Sequence, residues 1–248
     1  MIAVPGKLIR LVALGSLMWI SAASAAAPQA GDISGYWWAT KYSPKLEIEG
    51  GGELPYNEQG KALYAKNIAG LKDGSLKDEA RRICVRDGIP RLLGNPYPFQ
   101  ILHKPEQTYM FYELNRVIRV AAMNKAQMPA DELELFPFYI GHSVAHWEGD
   151  TLVVETAGFI DSTFLDATGA PHSDKLTTVE RIRKIGGGRQ LENVVTITDP
   201  VYLTRPVTAR FVYESRPDTR LQEYVCGEEH RDISAIPGVT EARRARGQ

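Results

Sequence analysis

From residue 99 to residue 226, apolar and polar side chains alternate in short runs broken by Gly, Pro, Asn and Asp. This is the period-two pattern of half-buried strands. Phe99 to His103 and Thr108 to Leu114 flank Lys104-Pro105-Glu106-Gln107, and Arg116 to Ala121 continues the run. Leu176 to Ile185 and Gln190 to Thr198 flank a Gly186-Gly187-Gly188-Arg189 turn, and Val207 to Ser215 and Arg220 to Cys226 flank Pro217-Asp218-Thr219. Three hairpins are predicted. Asp32 to Trp38 reads as a first strand. The pattern turns helical only after Asn57, a capping residue, where Leu63, Tyr64 and Ile68 fall at helical spacing, with a second polar helical stretch around Lys77 to Arg82.

Successive hairpins with short turns favour an antiparallel meander, and closing it removes exposed edges. The expected fold is mainly β: an antiparallel, lipocalin-like calyx barrel with a short helical insertion, with a two-sheet β-sandwich as the alternative. Residues 26–236 are expected to form one domain and residues 237–248, with Arg243, Arg244 and Arg246, a flexible tail.

The first 25 residues change the picture of where the chain works. Lys7 and Arg10 precede an apolar stretch from Leu11 to Ile20 and then Ala23-Ser24-Ala25. These are the three parts of a signal peptide, so cleavage near Ala25 and a periplasmic or secreted location are expected. The apolar stretch is shorter than the roughly 20 residues that span a bilayer, so the mature form should not insert in a membrane. Removing Lys7 and Arg10 leaves 27 of the 29 basic residues against 30 acidic ones, a formal charge of −3, which gives no reason to expect a nucleic-acid partner. Oligomeric state is left open.

Two cysteines, Cys84 and Cys226, bracket most of the strands. In an oxidising compartment one disulfide is the natural reading, with two buried free thiols as the alternative. The chain-entropy model assigns such a closure about 4 to 5 kcal/mol.

The segment richest in chemistry runs from Gly141 to Ala157. A two-residue Gly149-Asp150 turn sets His146 against Val153, Trp147 against Leu152 and Val144 against Glu155. Alternation then places Ala145, Trp147, Leu152, Val154 and Thr156 on one face, and His142, Val144, His146, Val153 and Glu155 on the other. Standing four positions apart on one strand, the two histidines are separated by roughly 13 Å, too far to share one metal on a regular strand. If the histidine face points inward, His142, His146 and Glu155 line a cavity as an acid/base set. If the Trp147 face points inward, the histidines lie at the surface.

Tyr109, Glu113 and Asn115 share a face of their strand, with Arg119 joining them only if the strand continues unbroken. Tyr109, Tyr112, Glu113 and Arg119 are candidate substrate-binding residues, as is His172 in the long loop Gly158 to Asp174, which could act as a lid. That loop also carries Asp161, Asp166 and Asp174, which could equally satisfy backbone amides. No Gly-x-Ser-x-Gly, phosphate-binding Gly loop, His-Glu-x-x-His or Cys-x-x-Cys occurs, so the sequence offers no support for serine hydrolase, nucleotide, zinc-protease or dithiol redox chemistry.

The stretches Cys84-Val-Arg-Asp-Gly-Ile-Pro-Arg91, Trp147-Glu-Gly-Asp-Thr-Leu-Val-Val-Glu155, Thr204-Arg205-Pro206 and Glu223-Tyr224-Val225-Cys226 together resemble a large family of uncharacterised exported bacterial proteins. Gly35-x-Trp37 on the first strand also resembles the opening of lipocalin-type barrels. These resemblances imply export and a β-rich fold.

Three functions are in view. The first is a cofactor-independent lyase or isomerase, moving protons on a small apolar or aromatic compound with His142, His146 and Glu155. The second is a periplasmic carrier of a hydrophobic small molecule. The third is a metal-dependent enzyme using histidine and glutamate ligands, for which the spacing is irregular.

Overall fold

The computed structural model describes residues 31–78 and 86–224. Nine strands close into a barrel: β1 (Gly35–Ala39), β2 (Phe99–His103), β3 (Gln107–Tyr112), β4 (Val117–Met123), β5 (His142–Glu148), β6 (Thr151–Ala157), β7 (Thr177–Ile185), β8 (Gln190–Thr198) and β9 (Val207–Ser215). Each pairs with its neighbours in chain order, and β1 pairs with β9 to close the ring. All pairs are antiparallel except β4 with β5, which run parallel over Ala121↔Ser143, Ala122↔Val144 and Met123↔Ala145. A parallel pair needs a crossover rather than a turn. Residues 124–141 supply it and contain the short helix α2 (Ala130–Leu135).

The mainly β barrel with a helical insertion is therefore as expected, with one strand fewer among the described residues than the hairpin pattern suggests. Residues 220–224 are not a strand, because the free edge of β9 is taken by β1 through Trp37↔Ser215 and Ala39↔Tyr213. Closure leaves no edge for another strand. The expected signal peptide, the tail, Cys84, Cys226 and residues 79–82 of the second helical stretch lie outside the described residues. Among the described residues no helix is long and apolar enough to cross a membrane.

Helix α1 (Glu58–Asp73) starts where the Asn57 side chain accepts from Gly60 N at 2.9 Å and stops at Gly74 in the left-handed region. It buries Gly60, Asn67 and Gly70 rather than the apolar positions its spacing suggested, and Ile68 is exposed. Small residues let the helix lie close: Asn67 Nδ2 donates to the Gly169 carbonyl at 2.9 Å, and the Tyr64 and Thr168 hydroxyls meet at 2.6 Å. The helix thereby clamps the 158–176 loop against the barrel.

The barrel interior is packed. Trp37, Ile101, Met110, Val117, Ala121, Leu152, Val154, Ile182, Leu191, Val195 and Tyr213 are all buried to 2 % exposure or less, and alternate residues on every strand face outward. Among the described residues, side chains from facing strands fill the lumen as in other small barrels.

Candidate functional site

The β5–β6 hairpin has the register read from its turn, with His142↔Ala157, Val144↔Glu155, His146↔Val153 and Trp147↔Leu152. The two faces also sort as expected, but the Trp147 face is the inner one. Ser143, Ala145, Leu152, Val154 and Thr156 are buried, while His146 and Glu155 have side chains 41 % and 50 % exposed. The acid/base set that an inward histidine face would have placed inside the barrel is therefore on its outer wall. Placing imidazoles and a carboxylate among the packed apolar residues of the lumen would strip their hydration without partners to replace it.

Gly141 fixes where this hairpin begins. It lies at φ +66, and a Cβ there would stand 2.5 Å from Thr156 Cγ2 and 2.8 Å from the Ala157 carbonyl. Outside, His146 Nε2 lies 3.3 Å from Glu148 Oε1 and Nδ1 lies 3.9 Å from Glu155 Oε1, and Arg181 Nη2 donates to Glu148 Oε2 at 2.6 Å. The Arg181 hydrogen bond, helped by His146, holds the Glu148 carboxyl below its usual range. His142 Nδ1 meets Gln127 Oε1, and Gln127 Nε2 donates to the His142 carbonyl, so the crossover is pinned to the outer wall there. Among the described residues no group of three or more His, Cys, Asp and Glu is arranged to hold a metal ion.

The expected substrate-binding residues scatter. Asn115 and Arg116 adopt positive φ and break the chain between β3 and β4, so Met110 pairs with Arg119 and Tyr109 with Val120 across two separate strands. Tyr109 faces outward, stacked on Phe111, with its hydroxyl on Gln107. Glu113 sits at the β3–β4 end and accepts from the Gln222 amide at 2.6 Å. Tyr112 and Arg119 point into the lumen. Burial pushes the Tyr112 phenol up to about 12.

Arg119 is the centre of a buried polar chain. Its Nη2 donates to Glu180 Oε1 at 2.6 Å and Thr156 Oγ1 at 2.7 Å, and its Nε donates to Ser143 Oγ at 3.0 Å. Asn193 Nδ2 donates to the other Glu180 oxygen at 2.7 Å. Burial alone would lower the Arg119 pKa, but the facing Glu180 charge overrides it and holds the guanidinium protonated. This pair belongs to the barrel core. Each charge spends its hydrogen-bonding capacity on protein partners, the condition under which a buried pair is tolerated.

His172 is also buried rather than poised on a lid. Loop residues Phe159, Leu165 and Ala170 are wholly buried, and Asp166 accepts from the Leu46 and Thr168 amides at 2.9 and 2.8 Å. The His172 Nδ1 lies 2.9 Å from the Ser173 carbonyl, which can only accept, so Nδ1 carries the proton and Nε2 accepts from the Thr163 hydroxyl at 2.7 Å. Burial pushes the imidazole below its ordinary pKa, against the opposing Ser173 hydrogen bond. A Cβ on Gly88 would stand 2.5 Å from Thr163 Oγ1, so only glycine lets that segment approach.

A concavity with apolar walls lies elsewhere, on the side of the barrel beside β1 and β9. It is a cleft of about 240 Å³ bounded by the 39–47 segment, residues 90–95, residues 165–167 and Arg210 to Tyr213. Leu46, Leu165, Pro90 and Phe211 give it apolar walls, and Tyr42 stands at the rim with 44 % exposure. Four cations line it, and each has a carboxylate partner: Lys41 with Glu47 at 2.6 Å, Lys45 with Glu53 at 2.7 Å, Arg210 with Glu192 at 2.7 Å, and Arg91 with Asp78 and Asp87, both at 2.9 Å. The cleft accordingly offers apolar and aromatic contact more than charge.

Of these cleft walls, residues 165–167 lie in the 158–174 loop that the sequence marks as a candidate lid, and Asp87 to Arg91 falls within a stretch that carries the family resemblance, but the 39–47 segment and Arg210 to Tyr213 were not singled out as a site. Four segments far apart in the chain build the cleft, and no short-range spacing encodes it. No protein-family model matches the chain, and no curated protein matches it. The functional reading accordingly rests on geometry.

Proposed function

We propose that the protein is a binding protein for a small, uncharged, largely apolar molecule carrying an aromatic ring, held in the cleft between β1, β9 and residues 90–95. The observation that carries this reading is the cleft itself, a concavity with apolar walls whose cations are already paired. Binding sites of this type combine apolar walls with a few polar groups for orientation. The signal peptide read from the sequence favours a periplasmic or secreted carrier.

The test is saturation-transfer NMR of the mature protein with a panel of neutral aromatics, indole and 2-naphthol among them. A hit is then titrated against wild type and Ala167→Trp, which fills the cleft from its rim. The reading predicts at least tenfold weaker binding by the variant with an unchanged circular dichroism spectrum. Equal affinity, or no hit at all, contradicts it.

A second reading, a cofactor-independent proton-transfer enzyme of lyase or isomerase type, draws support from the Thr163–His172 pair, in which a buried neutral imidazole accepts from a hydroxyl. The pair lies behind the cleft wall, since Thr163 touches Gly88, two residues before Pro90. Turnover of a cleft-bound compound that His172→Gln abolishes while its affinity is kept would favour this reading over the carrier.

A further inference from the structure

The barrel core contains a cavity of about 10 Å³ whose walls include Tyr112, Glu180, Asn193 and Tyr213, with Met110 and Leu93 beside them. Asn193 is 3 % exposed, and its Nδ2 donates to Glu180 and also faces the Tyr213 oxygen. Its Oδ1 has no hydrogen-bond partner among the described residues. A buried carbonyl oxygen without a donor loses its hydration and gains nothing in return, and such groups are rare in folded proteins.

We infer that this cavity is a binding site for one internal water molecule. The volume suits a single water, which needs two to four polar partners to be held in a protein interior. The walls provide them. The water donates to Asn193 Oδ1, and its second proton has the Glu180 carboxylate or the Tyr213 oxygen as acceptor. Tyr213 keeps a lone pair for this because its hydroxyl proton goes to the Leu93 carbonyl at 2.9 Å. The Tyr112 oxygen faces the Arg119 guanidinium, a donor, while the acceptor for its own proton among the described residues is the Met110 sulfur at 3.7 Å, so the water is a better acceptor for its hydroxyl.

The site joins two parts of the molecule. Through Glu180 the water extends the Arg119–Glu180–Asn193 chain, and through Tyr213 it touches the cleft, because Tyr213 lines both spaces and fastens Leu93 in the 91–94 turn. The water therefore belongs to the support behind the cleft wall. This inference stands independently of which ligand the cleft takes.

The experiment is a crystal structure of the mature wild-type protein at about 1.5 Å or better, paired with ¹⁷O water relaxation dispersion in solution. The expected result is a density peak about 2.6–3.2 Å from Asn193 Oδ1 and from at least one of Tyr112, Glu180 and Tyr213. The matching solution result is a long-lived internal water whose dispersion is lost in Asn193→Leu and reduced in Tyr112→Phe. Tyr112→Phe removes one partner of the water and keeps both Arg119 and Glu180, so the test survives if Asn193→Leu fails to fold. A dry cavity in which the Tyr213 hydroxyl turns from Leu93 to Asn193 Oδ1 would overturn the inference, as would wild-type dispersion unchanged in both variants.

Discussion

Arg119 on β4 and Glu180 on β7 meet inside the barrel at 2.6 Å, with side-chain exposures of 1 % and 0 %. Neither charge is open to bulk solvent, so each depends on the other. Removing one partner of a buried pair leaves an uncompensated charge and costs about 3–5 kcal/mol, whereas replacing both with apolar groups is often neutral or favourable. Arg119→Met and Glu180→Leu are each expected to lower the unfolding free energy by about that amount, and the double variant to recover most of the loss. Urea unfolding of the four proteins checks this. Additive losses in the double variant would contradict it.

Acid should weaken the fold through His172. Its folded-state pKa lies below the ordinary 6.5, so as pH falls through 6.5 the unfolded chain takes up a proton before the folded one does. The stabilisation is complete above about pH 6.5 and is lost progressively as pH drops toward the lowered folded value. His103, likewise lowered by burial, contributes with the same sign. Unfolding free energies measured between pH 5 and 7.5 should rise with pH, and His172→Gln should flatten the slope. A slope unchanged in that variant would sink the assignment.

How much of this was legible in the sequence divides along physical lines. The Gly149-Asp150 turn specifies a register, and the β5–β6 pairing follows it residue by residue. Which face turns inward was not legible, because Val144 and Val153 on the outer face are as apolar as Ala145 and Val154 on the inner one, and are buried as well. Arg119 and Glu180 do carry a signal in hindsight: each interrupts an apolar stripe at an inward position, and two such interruptions of opposite sign invite pairing. The β4–β5 crossover and the closure of β9 on β1 depend on contacts far apart in the chain, which no local pattern reports.

The outer-wall histidine cluster should contribute little to stability. His146 and Glu155 are exposed, and pairs of that kind are worth at most about 1 kcal/mol. His146→Ala and Glu155→Ala are expected to change the unfolding free energy by no more than about 0.5 kcal/mol and to leave ligand binding in the cleft unaltered. Thermal unfolding and the NMR titration report both quantities.

Gly141 should tolerate no side chain. Its positive φ and the 2.5 Å approach of Thr156 Cγ2 combine backbone strain with overlap. Gly141→Ala is expected to cost about 1–3 kcal/mol, measurable as a lower midpoint in urea with an unchanged slope.

The measurement closest to the central claim is an amide ¹H–¹⁵N correlation spectrum of the mature protein, titrated with the best-binding neutral aromatic. Binding in the side cleft predicts saturable shifts concentrated at Tyr42, Leu46, Leu165 and Phe211. Shifts centred instead on His142, His146 and Glu155, or on residues lining the barrel lumen, would contradict it.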